Sequence, residues 1–396
     1  MKRLIALLFT LGCLLPLQAA TALSDTAVYF LNIYPGPDIY ELEGHSAIIV
    51  DIPGRPAAAY NFGVFDFDQP NFVCRFVKGE TDYRAVRQAL EPFLAYYARQ
   101  GRRAVAHRLN FDGAQTARLV QLLEENVRPE NAVYRYNYVK DNCATRPLRA
   151  VELAAGDTLQ LAPAPFEAQP LTVPTFRNVM RHYHRNYPWY QFGIDLALGS
   201  GIDYPLTRRE IAFAPTELDG MLANATAGGR PLVAESFPII NRGPEDAIMG
   251  ATPWYLTPLF VCWLAFALVL WVVIRDLKRH RVTRWVDAAY FALMGVAGCL
   301  LTFLIFISVH EATSPNWLYA WLNPLCLVVP TLIWIKSAKN VLFCYQIINF
   351  ALLILLCVGW AFLPQSANPA FLPLILADLL LSGRYIDLQI DQPHKK

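Results

Sequence analysis

An α+β domain followed by an all-α transmembrane bundle is the fold class the sequence predicts. Three observations carry it: a basic, then apolar N-terminus, a polar stretch in which strand-like and helix-like patterns alternate, and five apolar blocks after residue 254. With 55% hydrophobic and only 17% charged residues among 396, the chain is too apolar for an ordinary soluble protein of its length. The net charge of +2 comes with no cluster of Lys and Arg in the polar half, so a nucleic-acid partner has no support.

The opening MKRLIALLFTLGCLLPLQAATALS places Lys2 and Arg3 before an apolar run and small residues around Ala19 to Ala22. That is the layout of a secretory signal peptide over residues 1–22, with Cys13 inside the exported segment. A domain over 23–250 then lies outside the cytoplasm and a membrane domain of about five helices occupies 251–396. The apolar blocks run roughly 255–274, 287–309, 321–335, 341–363 and 370–383, against the ~20 residues a spanning helix needs. The third and fifth are short, and Pro324 and Pro330 interrupt the third. Arg275, Lys278, Arg279, Arg281 and Arg284 crowd one connection and Lys336 and Lys339 another, whereas 310–320 and 364–369 carry neither Lys nor Arg. The basic loops therefore face the cytoplasm of a bacterium, and 310–320 shares the periplasmic side with the polar domain. Trp254, Tyr255, Trp317, Tyr319 and Trp321 fall where interfacial aromatics belong.

In the polar domain, AVYFLNIYPGP and GHSAIIVDIPG each read as a strand ending at a Pro-Gly turn, and AAAYNFGVFDF as an antiparallel partner of the second. Residues 82–100 and 112–126 have helical spacing, and 143–155 continues as a helix through Leu148, Val151 and Leu153. NFVCRFV alternates as a buried strand would, with Cys74 sharing a face with Phe72 and Phe76. The segment RHYHRNYPWYQFG, 181–193, mixes Trp and Tyr with Arg and His, a composition equally suited to a lipid-headgroup surface and to the edge of an aromatic core.

Only Cys74 and Cys143 lie in the polar domain. A nucleophilic cysteine must become a thiolate, which a helix N-terminus or a nearby imidazole favours. Cys143 follows Asp141 and Asn142, both capping residues, at an apparent helix start, and His45 opens an apolar strand whose face it shares with Ala47 and Ile49. A cysteine at a helix start facing a histidine on a strand is the papain-like arrangement, here in circularly permuted order because the histidine comes first. Spacing alone does not bring the two together. A lone cysteine is more often a small buried hydrophobe, and two in an oxidising compartment can pair. Pro147 would disturb the first turn of a helix that began at Cys143.

YELEGHSAIIV, YNFGVFDFDQPNF, RPENAVYRYNYVKDNCATR, TFRNVM, FGIDLALGSGIDYPLT and FAPTEL occur in an order that resembles the periplasmic domain of Lnb-type lipoprotein N-acyltransferases, over most of 28–220. HEATSPNWLYAWLNPL, with His310, Asn316 and Asn323, resembles that family's polar loop between spans. The resemblance implies a circularly permuted papain-like domain with His45 and Cys143 as catalytic pair. It also implies transfer of an acyl chain from a membrane phospholipid to the α-amine of a diacylglyceryl-cysteine lipoprotein through a Cys143 thioester. No cofactor is called for.

Asn61, on the partner strand, is placed to orient His45 or a carbonyl, though turn-forming is the commoner role of Asn. Arg146 is near enough to Cys143 to bind a phosphate, with an ion pair as the plainer alternative. His310, Asn316 and Asn323 are expected to hold a headgroup or the acceptor amine, and His310 with Glu311 offers too few ligands for a metal. Two other classes share these features. A membrane-anchored cysteine amidase or peptidase acting on cell-wall peptide would need one span rather than five, and a non-enzymatic scaffold would join Cys74 to Cys143.

Overall fold

The computed structural model describes residues 25–390, apart from 67, 69, 157, 170, 171 and 242–249. The signal segment expected over 1–22, with Cys13, lies outside the described residues. The chain divides into two units, one of Met1–Phe72, Thr81–Val179 and Pro205–Met249, the other of Val73–Glu80, Met180–Tyr204 and Gly250–Lys396.

The first unit is built on β1 (Ala27–Ile33), β2 (His45–Asp51), β3 (Ala58–Val64), β4 (Asp82–Ala89), β5 (Ala104–Leu109), β6 (Val133–Arg135) and β7 (Val233–Ile240). They form one antiparallel sheet in the order β7-β5-β1-β2-β3-β4-β6. In β2 every residue from Ser46 to Val50 is buried, so both faces of the central sheet are covered and its sequence is a continuous apolar run. One face packs Leu31, Ile33, Ala47, Ile49, Ala59, Ala104 and Ala106 against Phe93 and Tyr97 of the helix Leu90–Arg99. The expected β2–β3 pair is present, registered Ala47↔Asn61 to Val50↔Ala58.

Two sequence expectations are corrected. Residues 82–100 are not one helix: Asp82–Ala89 is strand and only Leu90–Arg99 is helical. Tyr83 and Ala85 are buried on either side of the exposed Arg84, and pairing of β4 with β3 and, at its start, with β6 outweighs local helical spacing. Cys74 is not on a buried strand. Phe72–Lys78 is a short helix with Cys74 exposed, and the Phe72–Phe76 spacing of four that looked like alternation is equally one helical face. The helix expected over 112–126 is found as Gly113–Asn126, closed by a reciprocal Asp112–Gln115 capping box.

In the second unit three helices are long and apolar enough to cross a membrane, Pro258–Lys278, Arg284–Phe306 and Lys336–Phe362, with a shorter apolar stretch at Trp317–Leu332. That stretch is broken into 3-10 turns at Trp317–Ala320 and Pro324–Leu327 and a single helical turn at Val328–Leu332, as its prolines require. A last helix, Phe371–Ile390, carries Arg384, fully buried and paired with Asp276 (2.6 Å) and Asp287. Burying a guanidinium among apolar helices requires such partners. The aromatic segment 181–193 belongs to this unit, where Trp189 Nε1 donates to the Leu256 carbonyl (2.8 Å) and Phe192 packs on Phe371.

Candidate active site

His45 is the first residue of β2, directly after Gly44, whose φ of +93° is open to glycine. A Cβ at residue 44 would stand 2.7 Å from the Ile33 carbonyl, so a glycine is needed to swing the chain into the strand. The β2–β3 ladder stops at Ala47↔Asn61, which leaves the start of β2 beyond the end of its neighbour's pairing. There the Ser46 N–H donates to the Cys143 sulfur, so the sulfur sits beside the residue that follows His45.

Asn61 on β3 decides the histidine's tautomer. Its Nδ2 donates to Gln88 Oε1 (3.2 Å), which turns Oδ1 toward His45 Nε2 at 2.7 Å. An amide oxygen only accepts, so Nε2 carries the proton and Nδ1 is the ring nitrogen able to take one. Tyr97 stacks on the ring at 6.0 Å between centroids, and the buried Arg102 lies over Tyr97 while pairing with Glu41 at 2.7 Å. Burial pushes the His45 pKa down to about 4; the Asn61 hydrogen bond works against the fall and the Arg102 charge adds to it.

Cys143 stands just before the helix Thr145–Ala155. Asn142 builds that start: Oδ1 accepts from the N–H groups of Ala144 and Thr145 (both 2.9 Å), and Nδ2 donates to the carbonyls of Tyr138 (2.7 Å) and Phe213 (2.8 Å). Because regular helix begins at Thr145, Pro147 is its third residue, where a backbone N–H has no intrahelical acceptor and its loss does little. Burial pushes the Cys143 thiol up to about 11, against hydrogen bonds from the Ser46 N–H and the Tyr136 hydroxyl and together with the nearby Glu43 charge. At neutral pH both members of the pair are therefore uncharged, and the cysteine becomes a thiolate only as its proton is removed.

Arg146 is committed elsewhere. Its guanidinium forms a two-pronged pair with Asp141 (2.7 and 2.8 Å) and lies 3.4 Å from the centre of the Tyr134 ring, the ion-pair alternative rather than an open phosphate site. All the described cysteines, Cys74 and Cys143 included, are free thiols, which removes the disulfide of the scaffold reading.

His310, Asn316 and Asn323 lie in the second unit. There His310 Nε2 bonds the Phe76 carbonyl (2.8 Å), tying its loop to the Phe72–Lys78 helix. Asn316 accepts from Leu318 N–H (3.1 Å) and Gln365 Nε2 (3.1 Å) and donates to the Leu196 carbonyl (2.9 Å). Asn323 accepts from Leu325 N–H (3.1 Å) and donates to the Tyr319 carbonyl (3.3 Å). Both asparagines thus spend their polar atoms shaping the loop. Sequence reasoning missed Tyr136, Gln88 and the Arg102–Glu41 pair; only the alternating tyrosines of YRYNY just ahead of Cys143 offered a signal.

A strand-borne histidine, an amide that orients it and a cysteine at a capped helix start, on a chain with apolar spans, define a membrane-associated protein with an enzyme-like periplasmic site. The chain belongs to the Lnb family: the Lnb N-terminal periplasmic domain matches residues 16–181 and the Lnb transmembrane domain residues 251–392. It is an inner-membrane protein with a periplasmic domain. No curated protein and no solved structure matches the chain.

Proposed function

We propose that the protein is a lipoprotein N-acyltransferase with Cys143 as nucleophile and His45 as general base, oriented by Asn61. The observation that supports this most directly is the fixed tautomer: the Asn61 Oδ1 contact with Nε2 (2.7 Å) leaves Nδ1 as the nitrogen that accepts a proton. In the first half-reaction Nδ1 takes the thiol proton as sulfur attacks the ester carbonyl of a membrane phospholipid. The sulfur–carbon bond forms, the ester carbon–oxygen bond breaks, and the departing lysolipid alkoxide takes the proton from Nδ1. In the second, the neutral α-amine of a diacylglyceryl-cysteine attacks the thioester. An amide forms, the carbon–sulfur bond breaks, and the amine proton passes through Nδ1 to the sulfur. An α-amine with a pKa of roughly 7.7 to 8.0 keeps a usable neutral fraction at neutral pH.

The spanning helices favour this reading over a cell-wall amidase, because both substrates are lipids and a thioester gains from exclusion of water. Within it, His310, Asn316 and Asn323 shape the periplasmic loop of the membrane unit rather than touch substrate, and Arg146 braces the cysteine-bearing turn through Asp141. The test is mass spectrometry of a synthetic diacylglyceryl-cysteine peptide incubated with the purified full-length protein in phospholipid–detergent micelles. A gain of one amide-linked acyl chain, absent with Cys143→Ser, is the expected result. Peptide cleavage without acylation would turn the assignment to an amidase.

A further inference from the structure

Two donors from other residues act on the Cys143 sulfur, the N–H of Ser46 and the phenolic O–H of Tyr136. Only the last is a side chain, and it is firmly placed. The Tyr136 ring stacks on Tyr83 with centroids 4.2 Å apart and 24° between planes. Asn137 and Asp141 then exchange backbone hydrogen bonds (3.1 and 2.9 Å), so the chain between Tyr136 and Cys143 is a closed turn. On the far side lies Gly63, at a φ of +85°. A Cβ there would come within 3.3 Å of the Tyr136 ring and 3.6 Å of the Cys143 Cβ, so the glycine leaves both the tyrosine and the cysteine room beside it.

We propose that Tyr136 is a further catalytic residue, whose hydroxyl donates a hydrogen bond to Cys143 Sγ whenever that atom carries negative charge. This rests on the reading of Cys143 as nucleophile. Charge reaches the sulfur twice, as the thiol proton passes to His45 Nδ1 before attack and as the thioester carbon–sulfur bond breaks under attack by the amine. Tyr136 keeps its own proton in both steps. The donor is held in place before the charge develops, so no reorganisation is needed when it does. A phenylalanine would fill the same stack against Tyr83; the hydroxyl is what distinguishes the tyrosine.

The test uses full-length Tyr136→Phe in phospholipid–detergent micelles, with two readouts. The first is iodoacetamide alkylation of the Cys143 peptide across pH 6 to 11, followed by mass spectrometry. Losing a hydrogen bond to a charged sulfur is expected to slow alkylation roughly tenfold at each pH below the midpoint. The second is acyl transfer, expected to fall roughly 10- to 100-fold in kcat with KM unchanged. A difluorotyrosine at position 136, a stronger donor of nearly the same shape, should move the alkylation midpoint to lower pH and guards against a phenylalanine variant that misfolds. An unchanged alkylation profile in both variants, or full transfer by Tyr136→Phe, overturns the proposal. Transfer by Cys143→Ser would instead overturn the nucleophile reading beneath it.

Discussion

Acidification should destabilise the protein through His45 by a calculable amount. The folded imidazole titrates at about 4 and the unfolded one at 6.5. Between those values the unfolded chain binds a proton that the folded chain refuses, so stability rises with pH across the window. The contribution is complete above about pH 6.5 and lost as pH falls through about 4. At about 1.4 kcal/mol per pK unit, the gap amounts to about 3 kcal/mol. The assay is chemical denaturation of the full-length protein in micelles at pH 7, 5.5 and 4, alongside His45→Gln, which removes the titration and leaves every other group in place. The wild type should lose about 3 kcal/mol relative to the variant between pH 7 and pH 4. Thioester formation without acceptor should keep its rate down to about pH 4 for the same reason. Parallel stability curves, or an acid limb of thioester formation near pH 6.5, would refute the lowered His45 titration and show an imidazole that folding leaves unperturbed.

Asn61→Ala leaves the Nε2–H without an acceptor and frees the other tautomer, so acyl transfer should fall roughly tenfold. Asn61→Asp should keep the orientation and move the acid limb of the pH–rate profile upward, since a carboxylate favours the imidazolium. Asn142→Ala removes four hydrogen bonds at a buried helix start and is expected to cost at least about 2 kcal/mol in a denaturation measurement, with loss of activity alongside. Cys74→Ser, at an exposed helical position, should leave activity and melting temperature unchanged. His310→Ala should lower acyl transfer by loosening the loop held at the Phe76 carbonyl, and His310→Gln, which can still donate there, should restore most of it.

How far the sequence could be read follows from the range of the forces involved. The Gly44–His45 strand entry and the Asn142 cap are local devices, legible because each is fixed by a few consecutive residues. The β4 strand was not legible, because the pairing partners that override its helical spacing lie on β3 and β6, distant in sequence. The same distinction runs through the site. Cys143 and His45 announce themselves by residue type and local setting, but Gln88, which fixes the Asn61 amide and through it the proton on His45, is 27 residues from Asn61 on another strand. Nothing about a glutamine in an ordinary strand marks it as the residue that selects a tautomer. Tyr136 was hidden differently: it is near in sequence to Cys143, but tyrosines are common beside strands, and the stack that holds this one is with Tyr83 on β4, distant in sequence. A nucleophile can thus be found from sequence because its chemistry demands a rare side chain, whereas the groups that position it and its base are common residues whose role comes entirely from where the chain returns.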